Sequence, residues 1–154
     1  MTSISSVART PDGRSTLTEG GYLLDTNVVS EVRRPRPDER VRAFLERAAD
    51  ADAYLSVLTI GELRKGAEAK RRIDPVSAER IDGWIARLEV QYSGQTLPVD
   101  KRTAEMWGRL MGERPRPIVD TLIAATALVH GLTLVTRNTR DIADTGVTAI
   151  NPWL

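Results

Sequence analysis

Cysteine is absent from this chain of 154 residues, and histidine occurs once, as His130. Without cysteine the protein has no disulfide, no thiol nucleophile and no cysteine-ligated zinc or iron–sulfur site. Any histidine-dependent mechanism must use His130, which directly precedes Gly131 at an expected helix C-terminus, where the helix dipole favours a cationic side chain. Acidic side chains are therefore the abundant catalytic or metal-binding type that remains.

Long hydrophobic runs are also missing from the chain. The longest mainly apolar stretch, residues 122–129, is far shorter than the ~18 residues expected of a membrane-spanning helix. Residues 1–20 are rich in Ser, Thr, Arg and Gly and lack the apolar centre of a secretory signal. We therefore expect a cytoplasmic protein with no membrane partner, a flexible tail or mis-called start at 1–20, and a single domain at 21–154.

The net charge of +1 gives no global field that would indicate a nucleic-acid partner. Basic residues are nevertheless concentrated in two segments, 33–42 and 64–72. For either segment alone, a solvated helix face or linker is the simpler interpretation.

Short apolar runs alternate with amphipathic stretches from residue 21 onward. Strands are predicted at 22–25, 53–57, 96–99, 133–136 and 147–150. Helices are predicted to start near Thr26, which would cap the first of them, and to cover about 41–48, 59–70, 75–88, 100–110 and 119–130, with start signals at Asp38, Asp74 and Asp100. This alternation predicts an α/β fold whose parallel sheet is covered on both faces.

Acidic residues fall where the predicted strands end or the following helices begin. In a parallel α/β sheet both positions lie at the carboxyl edge, where ligands bind. Four acids from separate segments meet this condition, namely Asp25, Glu62, Asp120 and Asp141.

Several carboxylates cannot stay ionised side by side without a cation, because like charges at short range raise each other's pKa. A site built from oxygen ligands suits Mg²⁺ or Mn²⁺, which are hard cations that keep several waters. Such a cation lowers the pKa of a bound water and neutralises charge on a phosphate that the water attacks. The pattern therefore favours metal-dependent hydrolysis of a phosphodiester.

Each acid also has an ordinary structural interpretation. Thr59 and Glu62 have the spacing of a capping box, in which Glu62 would satisfy a backbone amide. Asp120 could cap a helix, Asp25 could stabilise a turn, and Asp141 could be a loop acid. The choice depends on whether the fold brings these side chains together.

Four segments of the sequence resemble, in order and spacing, the motifs of VapC/FitB-type PIN-domain proteins. They are LLDTNVVSE at 23–31, LTIGELRKG at 58–66, DTLIAATA at 120–127 and TLVTRNTRDI at 133–142. The resemblance runs from about Gly21 to the end of the chain. It implies a three-layer α/β/α sandwich with a parallel central sheet of about five strands.

The resemblance also implies the residues of the site. Asp25, Glu62 and Asp120 match the three acids at the core of the family's metal site, and Asp141 matches a fourth, more variable acid. Thr26, Asn27, Thr136 and Asn138 match the polar positions that line it.

Members of this family are typically Mg²⁺- or Mn²⁺-dependent endoribonucleases. The resemblance therefore implies the toxin of a type II toxin–antitoxin pair, with RNA as substrate, a cognate antitoxin as partner, and assembly as a homodimer or a larger complex with the antitoxin. Because RNA phosphates require cations nearby, the basic residues flanking the motif acids, Arg64, Lys65 and Arg137, are predicted to contact RNA or the partner.

Two other functions are compatible with parts of the pattern. One is a catalytically silent PIN-fold module that acts through a protein partner. The other is a phosphohydrolase with Asp25 as nucleophile, but the haloacid-dehalogenase pattern requires a second Asp two residues later, where this chain has Asn27.

Overall fold

The computed structural model describes residues 20–48 and 50–154, and within them the strands form one parallel sheet. The strands are β1 (Tyr22–Leu24), β2 (Ala53–Ser56), β3 (Thr96–Leu97), β4 (Thr133–Val135) and β5 (Ala149–Ile150). Their order across the sheet is β3-β2-β1-β4-β5, and every neighbouring pair is parallel. The predicted tail at 1–20 lies outside the described residues, apart from Gly20.

Strand β1 occupies the centre of the sheet, because Tyr22 pairs with Ala53 of β2 on one side and with Thr133 of β4 on the other. The chain adds β2 and β3 on one side of β1, then crosses over to add β4 and β5 on the other. Strand order therefore reverses at the β1–β4 boundary, and the crevice beyond the carboxyl ends of these strands is the expected place for a ligand site.

Six α-helices connect the strands within the described part of the chain. They are α1 (Thr26–Glu31), α2 (Glu39–Arg47), α3 (Val57–Arg71), α4 (Pro75–Gln91), α5 (Lys101–Glu113) and α6 (Ile118–His130), with short 3₁₀ helices at Asp50–Asp52 and Thr139–Ile142. None of the described helices combines the length and apolar character needed to cross a bilayer.

Two separate cores lie on the two faces of the sheet. Leu24 of β1 and Val135 of β4 pack into one core with residues of α1 to α4. The preceding strand residues, Leu23 and Leu134, pack into the other core, chiefly against α6. Because successive residues of a strand point to opposite faces, a strand buried on both faces is continuously apolar. The predicted three-layer α/β/α sandwich with five parallel strands is confirmed.

Local signals placed the element boundaries to within a few residues. The side chains of Asp38, Asp74 and Asp100 accept backbone N–H bonds and cap α2, α4 and α5, as predicted. Gly131 ends α6 in the left-handed conformation, with φ of 66°, directly after His130. The first helix is different, because its cap is Asp25 and not Thr26.

The sharp onset of patterned sequence has a steric basis at two glycines. Gly21 directly precedes β1 with φ of +91°, and a Cβ there would lie 2.4 Å from the carbonyl oxygen of Asp52. Gly20 has φ of +83°, and its Cβ would lie 2.5 Å from the carbonyl oxygen of Gly131. Only glycine fits such close backbone approaches, so these residues allow the chain to enter the centre of the sheet.

A buried arginine ties the connection between α5 and α6 to the loop that leads to β5. The side chain of Arg116 is 1% exposed. Its Nε donates to the carbonyl oxygen of Leu110 at 2.8 Å, and its terminal nitrogens donate to Asp144 at 2.6 Å and to Glu113 at 2.8 Å. Arg114 pairs with the same Asp144 carboxylate, and these charge-assisted bonds strongly lower the pKa of Asp144.

Replacing Arg116 by Met should lower the free energy of unfolding by about 2 kcal/mol, because the buried carbonyl of Leu110 loses its donor. Urea unfolding followed by circular dichroism measures this loss. The matched control is Arg71→Met, which removes a more exposed arginine paired with Glu68 and Asp82 between α3 and α4. This control should show a clearly smaller loss. Equal losses would show that burial of Arg116 adds nothing.

Candidate metal centre

Asp25 lies at the carboxyl end of the central strand and is the most buried of the three central acids, Asp25, Glu62 and Asp120. Its relative exposure is 6%. Its Oδ1 accepts the backbone N–H of Thr26 at 2.7 Å, which makes it the N-cap of α1, and its Oδ2 accepts the hydroxyl of Thr136 at 2.7 Å. Its own backbone N–H donates to the carbonyl oxygen of Val135 at 2.9 Å. Asp25 is therefore fixed to both β1 and the end of β4.

Burial raises the pKa of Asp25, and the nearby negative charge of Glu62 raises it further. The hydrogen bonds from Thr136 and Thr26 act in the opposite direction, because they stabilise the carboxylate. The net direction is upward, so this environment favours the ionised form of Asp25 less than water does.

Glu62 faces the same site from α3. Its Oε1 accepts the hydroxyl of Thr26 at 2.5 Å, and the hydroxyl of the buried Thr59 lies 3.3 Å from that of Thr26. The capping-box interpretation is therefore wrong. Helix α3 begins two residues earlier, at Val57, and its cap is the side chain of Ser56. The carboxylate of Glu62 is therefore not used as a helix cap, and Glu62 lines the cleft.

Asp120 approaches from the first turn of α6. The N-cap of this helix is Pro117, so the interpretation of Asp120 as a cap is also wrong. Burial is the largest cause of its raised pKa, followed by the negative charges of Asp25, Asp141 and Glu62. An acid in the first turn of a helix is ordinarily stabilised there. Burial and repulsion outweigh that benefit at Asp120.

Asp141 lies at the rim of the site. It is exposed on the 3₁₀ turn Thr139–Ile142 and is not among the residues that line the cleft. It is nevertheless close enough to Asp120 to raise the pKa of that acid. The structure thus places Asp25, Glu62 and Asp120 on the wall of one cleft and leaves Asp141 at its edge.

The expected polar residues surround the acids. Thr136 is buried and bonds Asp25, and its hydroxyl also accepts the backbone N–H of Asn138 at 3.0 Å. Thr26 bonds Glu62. The side-chain oxygen of Asn27 is buried and has no hydrogen-bond partner among the described residues. An unpartnered buried oxygen beside a cluster of acids requires a ligand or solvent donor.

An open cleft of about 650 Å³ connects these side chains. Its lining includes the three central acids together with Thr26, Asn27 and Asn138. Thr136 lines a small hollow behind it, shared with Asp25 and Asp120.

Of the predicted contact residues, Lys65 and Arg137 line the cleft, and Arg137 lies over the ring of Trp153 at 4.1 Å from its centroid. Arg64 lies elsewhere: it forms ion pairs with Asp82 at 3.1 Å and with Glu89 at 3.4 Å, both on α4.

Sequence reasoning missed several residues that line the cleft. They are Ser30, Glu31, Arg33, Arg34, Gly66 and Ala69. Helical spacing could have found three of them, because residues at i+4 and i+7 share a helix face. Ser30 has this relation to Thr26 on α1, and Gly66 and Ala69 have it to Glu62 on α3.

The donor set fits a hard divalent cation. It offers carboxylate oxygens and an amide oxygen, with no sulfur, and the pKa values of Asp25 and Asp120 are raised by burial first and then by neighbouring negative charge, which a cation would offset. Within residues 20–48 and 50–154, no three acidic or histidine side chains enclose a cation by themselves. Mg²⁺ matches such an open arrangement because it keeps several waters and takes only one or two carboxylates directly.

A parallel α/β/α sheet with an acid-lined cleft at the β1–β4 switch point defines the structural class, and comparison identifies the family. The PIN domain family model matches residues 22–147, so the chain belongs to the PIN-domain family. The chain is 37% identical to Toxin FitB of Neisseria gonorrhoeae (strain ATCC 700825 / FA 1090), covering 85% of this chain and 97% of FitB. The resemblance to VapC/FitB-type proteins is thereby confirmed.

Two further comparisons agree with this assignment. The chain is 34% identical to VapC ribonuclease Y4jK of Sinorhizobium fredii (strain NBRC 101917 / NGR234), covering 85% of this chain and 96% of that protein. A solved structure described as FitAB bound to an IR36 DNA fragment superposes with a TM-score of 0.72 at 34% identity, covering 86% of this chain and 96% of that one.

The repulsion at Asp120 predicts a measurable effect on stability. Because its folded-state pKa is raised, the metal-free protein should lose stability as pH rises from the ordinary carboxyl pKa through the raised value. Asp120→Asn should therefore raise the thermal midpoint of the protein in EDTA at pH 8, and the gain should shrink towards pH 4. In MnCl₂ the wild type should gain more than the variant. A variant that is less stable in EDTA at pH 8 would contradict the assigned repulsion.

Proposed function

We propose that this protein is the toxin of a type II toxin–antitoxin pair and acts as an endoribonuclease that depends on Mg²⁺, with Mn²⁺ as a substitute. The observation that carries the proposal is the buried carboxylate of Asp25 at the end of the central strand, in one cleft with Glu62 and Asp120. Buried acids with raised pKa values in a cleft are typical of functional sites, because the fold alone gains nothing from their repulsion.

The names of relatives support the reaction and the partner. Similar proteins are named as a toxin and as a VapC ribonuclease, and the similar solved structure is a FitAB complex on DNA. By similarity we assign RNA as substrate and a cognate antitoxin as partner, with assembly as a homodimer or a larger complex with the antitoxin. The reaction would take place in the cytoplasm, where bacterial RNA is found.

The proposed ligands of the cation are Asp25, Glu62 and Asp120, with Asp141 at the rim as a fourth, outer acid. When bound, the divalent cation supplies charge neutralisation at the scissile phosphate and a water that loses its proton more easily. Hydrogen bonds within the chain fix the positions of two of these acids, Asp25 and Glu62. Thr136 and the N–H of Thr26 each fix one oxygen of Asp25, and the hydroxyl of Thr26 orients Glu62.

Polar groups around the acids would place the substrate. The side chains of Asn27 and Asn138 line the cleft and offer amide groups to an RNA phosphate or ribose. Hydrolysis breaks one phosphorus–oxygen bond of the RNA chain as the oxygen of water bonds to phosphorus, and the departing ribose oxygen takes up a proton.

A silent binding module is the weaker alternative. It would not need three central acids in one cleft, where burial and then mutual repulsion raise the pKa of Asp25 and Asp120, because both effects destabilise the metal-free fold. The phosphohydrolase alternative requires a second aspartate where Asn27 stands.

Asp25→Asn tests the proposed function directly. The variant should cut total bacterial RNA at least about 100-fold more slowly than the wild type in MgCl₂, because it loses the most buried ligand of the cation. Gel electrophoresis of the RNA measures the rate, and EDTA should stop cleavage by the wild type.

The matched control is Asp100→Asn, which changes an N-cap of α5 outside the cleft to another good capping residue and should cut like the wild type. Undiminished cleavage by Asp25→Asn would remove Asp25 from the reaction. Intact RNA after incubation with the wild type in both Mg²⁺ and Mn²⁺ would overturn the proposed function.

A further inference from the structure

The cleft continues beyond the acids between α1 and α3. A second hollow of about 460 Å³ shares five wall residues with the acid-lined cleft, namely Thr26, Ser30, Arg33, Glu62 and Gly66. It extends along α3 to Lys70 and reaches Ser77 and Ile81 near the start of α4. We call this extension the α1–α3 arm. It starts at Glu62 and leads away from Asp25 and Asp120.

Gly66 forms part of the wall of the arm, in the middle of α3, where glycine destabilises a helix by about 0.5–1 kcal/mol relative to alanine. The backbone there does not have a positive φ, and a Cβ on Gly66 would meet no atom within 4 Å. Neither conformation nor internal packing therefore requires glycine. The remaining consequence of glycine at this position is open space in the arm.

Cationic side chains lie in the arm and beside it. Lys70 and Arg33 line the arm, and Lys65 lines the adjoining acid-lined cleft. All three are exposed, and Arg33 lies over the ring of Trp84 at 5.5 Å from its centroid. Within the described part of the chain, none of these three has an ion-pair partner, whereas Arg42, Arg64, Arg71 and Arg114 all do. Lys65 and Lys70 lie about 1.4 turns of α3 apart and on either side of Gly66 in sequence.

We propose that the α1–α3 arm binds the backbone of single-stranded RNA on one side of the scissile phosphate. Lys65, Lys70 and Arg33 contact its phosphates, and Gly66 provides the clearance for the strand. This inference rests on the proposed function, since the acids at the start of the arm define the scissile position. A hollow of about 460 Å³ has the size of a small-molecule pocket, which suits the unpaired nucleotides of one strand better than the width of a duplex.

Gly66→Leu tests the clearance. Binding of a fluorescein-labelled U₁₂ RNA is measured by anisotropy in EDTA, which withholds the divalent cation and so prevents cleavage. Gly66→Leu should weaken binding about tenfold, because the strand must displace a side chain from the arm. The thermal midpoint of the same variant should rise, because leucine favours helix more than glycine does. Weaker binding in a more stable protein excludes misfolding as the cause.

Two variants serve as controls for Gly66→Leu. Gly66→Ala should raise the thermal midpoint and leave most of the RNA affinity, because its side chain is a single methyl group. Gly108→Leu introduces the same side chain on α5, at a position where a Cβ also meets nothing within 4 Å. Gly108 lines neither the cleft nor the arm, so this variant should bind U₁₂ like the wild type. Wild-type affinity in Gly66→Leu would overturn the clearance role.

The charges are tested by salt dependence. For single strands the slope of log K against log salt changes by ~0.7 per phosphate contact. The double variant Lys65→Gln/Lys70→Gln should therefore reduce the magnitude of the slope by about 1.4. The control Lys101→Gln/Arg102→Gln removes two exposed cations from α5 and should leave the slope unchanged. An unchanged slope in the Lys65/Lys70 variant would overturn the charge role.

Two further measurements separate this inference from the proposed function. Binding of Mn²⁺, measured by calorimetry, should be the same in the arm variants and the wild type, because the acids are untouched. The affinity for a 12-base-pair RNA duplex should be the same in Gly66→Leu and the wild type, and an equal loss of duplex affinity would overturn the preference for a single strand.

If the wild type cuts RNA but the arm variants bind U₁₂ normally, the proposed RNA binding by the arm is wrong, whereas the proposed nuclease activity is supported. If the wild type fails to cut RNA, the proposed function fails first.

Discussion

Electrostatic repulsion between carboxylates at the end of β1 is the constraint on which the rest of the site depends. Asp25 is buried beside Glu62, and the charges of both act on Asp120. The fold holds this arrangement because the acids come from different elements. Asp25 lies directly after β1, Glu62 lies on α3 and Asp120 lies on α6, and core contacts fix each element. Asp25 is restrained most strongly, since its backbone and side chain both bond the end of β4.

The consequence is a site that is less stable alone than when it is bound to positive charge. The stability lost to repulsion is recovered when a cation binds only the folded state. The basic residues of the cleft do not neutralise the acids within the structure: Lys65 and Arg137 line the same cleft, but no ion pair joins either of them to the central acids among the described residues. Acidic and basic parts of the cleft therefore remain available to a metal and to an anionic polymer respectively.

Sequence patterns predicted the fold well because each layer has a local signature. Continuous apolar runs identified the buried strands, and Asp38, Asp74 and Asp100 marked helix starts that capping chemistry fixes locally. The convergence of Asp25, Glu62 and Asp120 followed from topology, because parallel strands end at one edge. Capping was less reliable where two polar residues competed, as with Asp25 and Thr26, or Ser56 and Thr59.

Long-range contacts were beyond the reach of sequence patterns. The position of Arg64 beside the motif acid Glu62 suggested a role in the cleft, but its partners Asp82 and Glu89 lie on another helix. The bond between Thr136 and Asp25 joins residues 111 positions apart in the chain. The same limit applies to Gly66, because its proposed role depends on the space between α1 and α3 and not on its neighbours in sequence.

The central claim, that Asp25, Glu62 and Asp120 share one divalent cation, is tested most directly by a crystal structure of the protein grown with MnCl₂. An anomalous difference map calculated at a wavelength where manganese scatters anomalously should show a single strong peak in the cleft, within coordinating distance of Asp25 directly or through its water shell. A map with no peak between these carboxylates at saturating Mn²⁺, or with the ion bound elsewhere on the protein, would contradict the account.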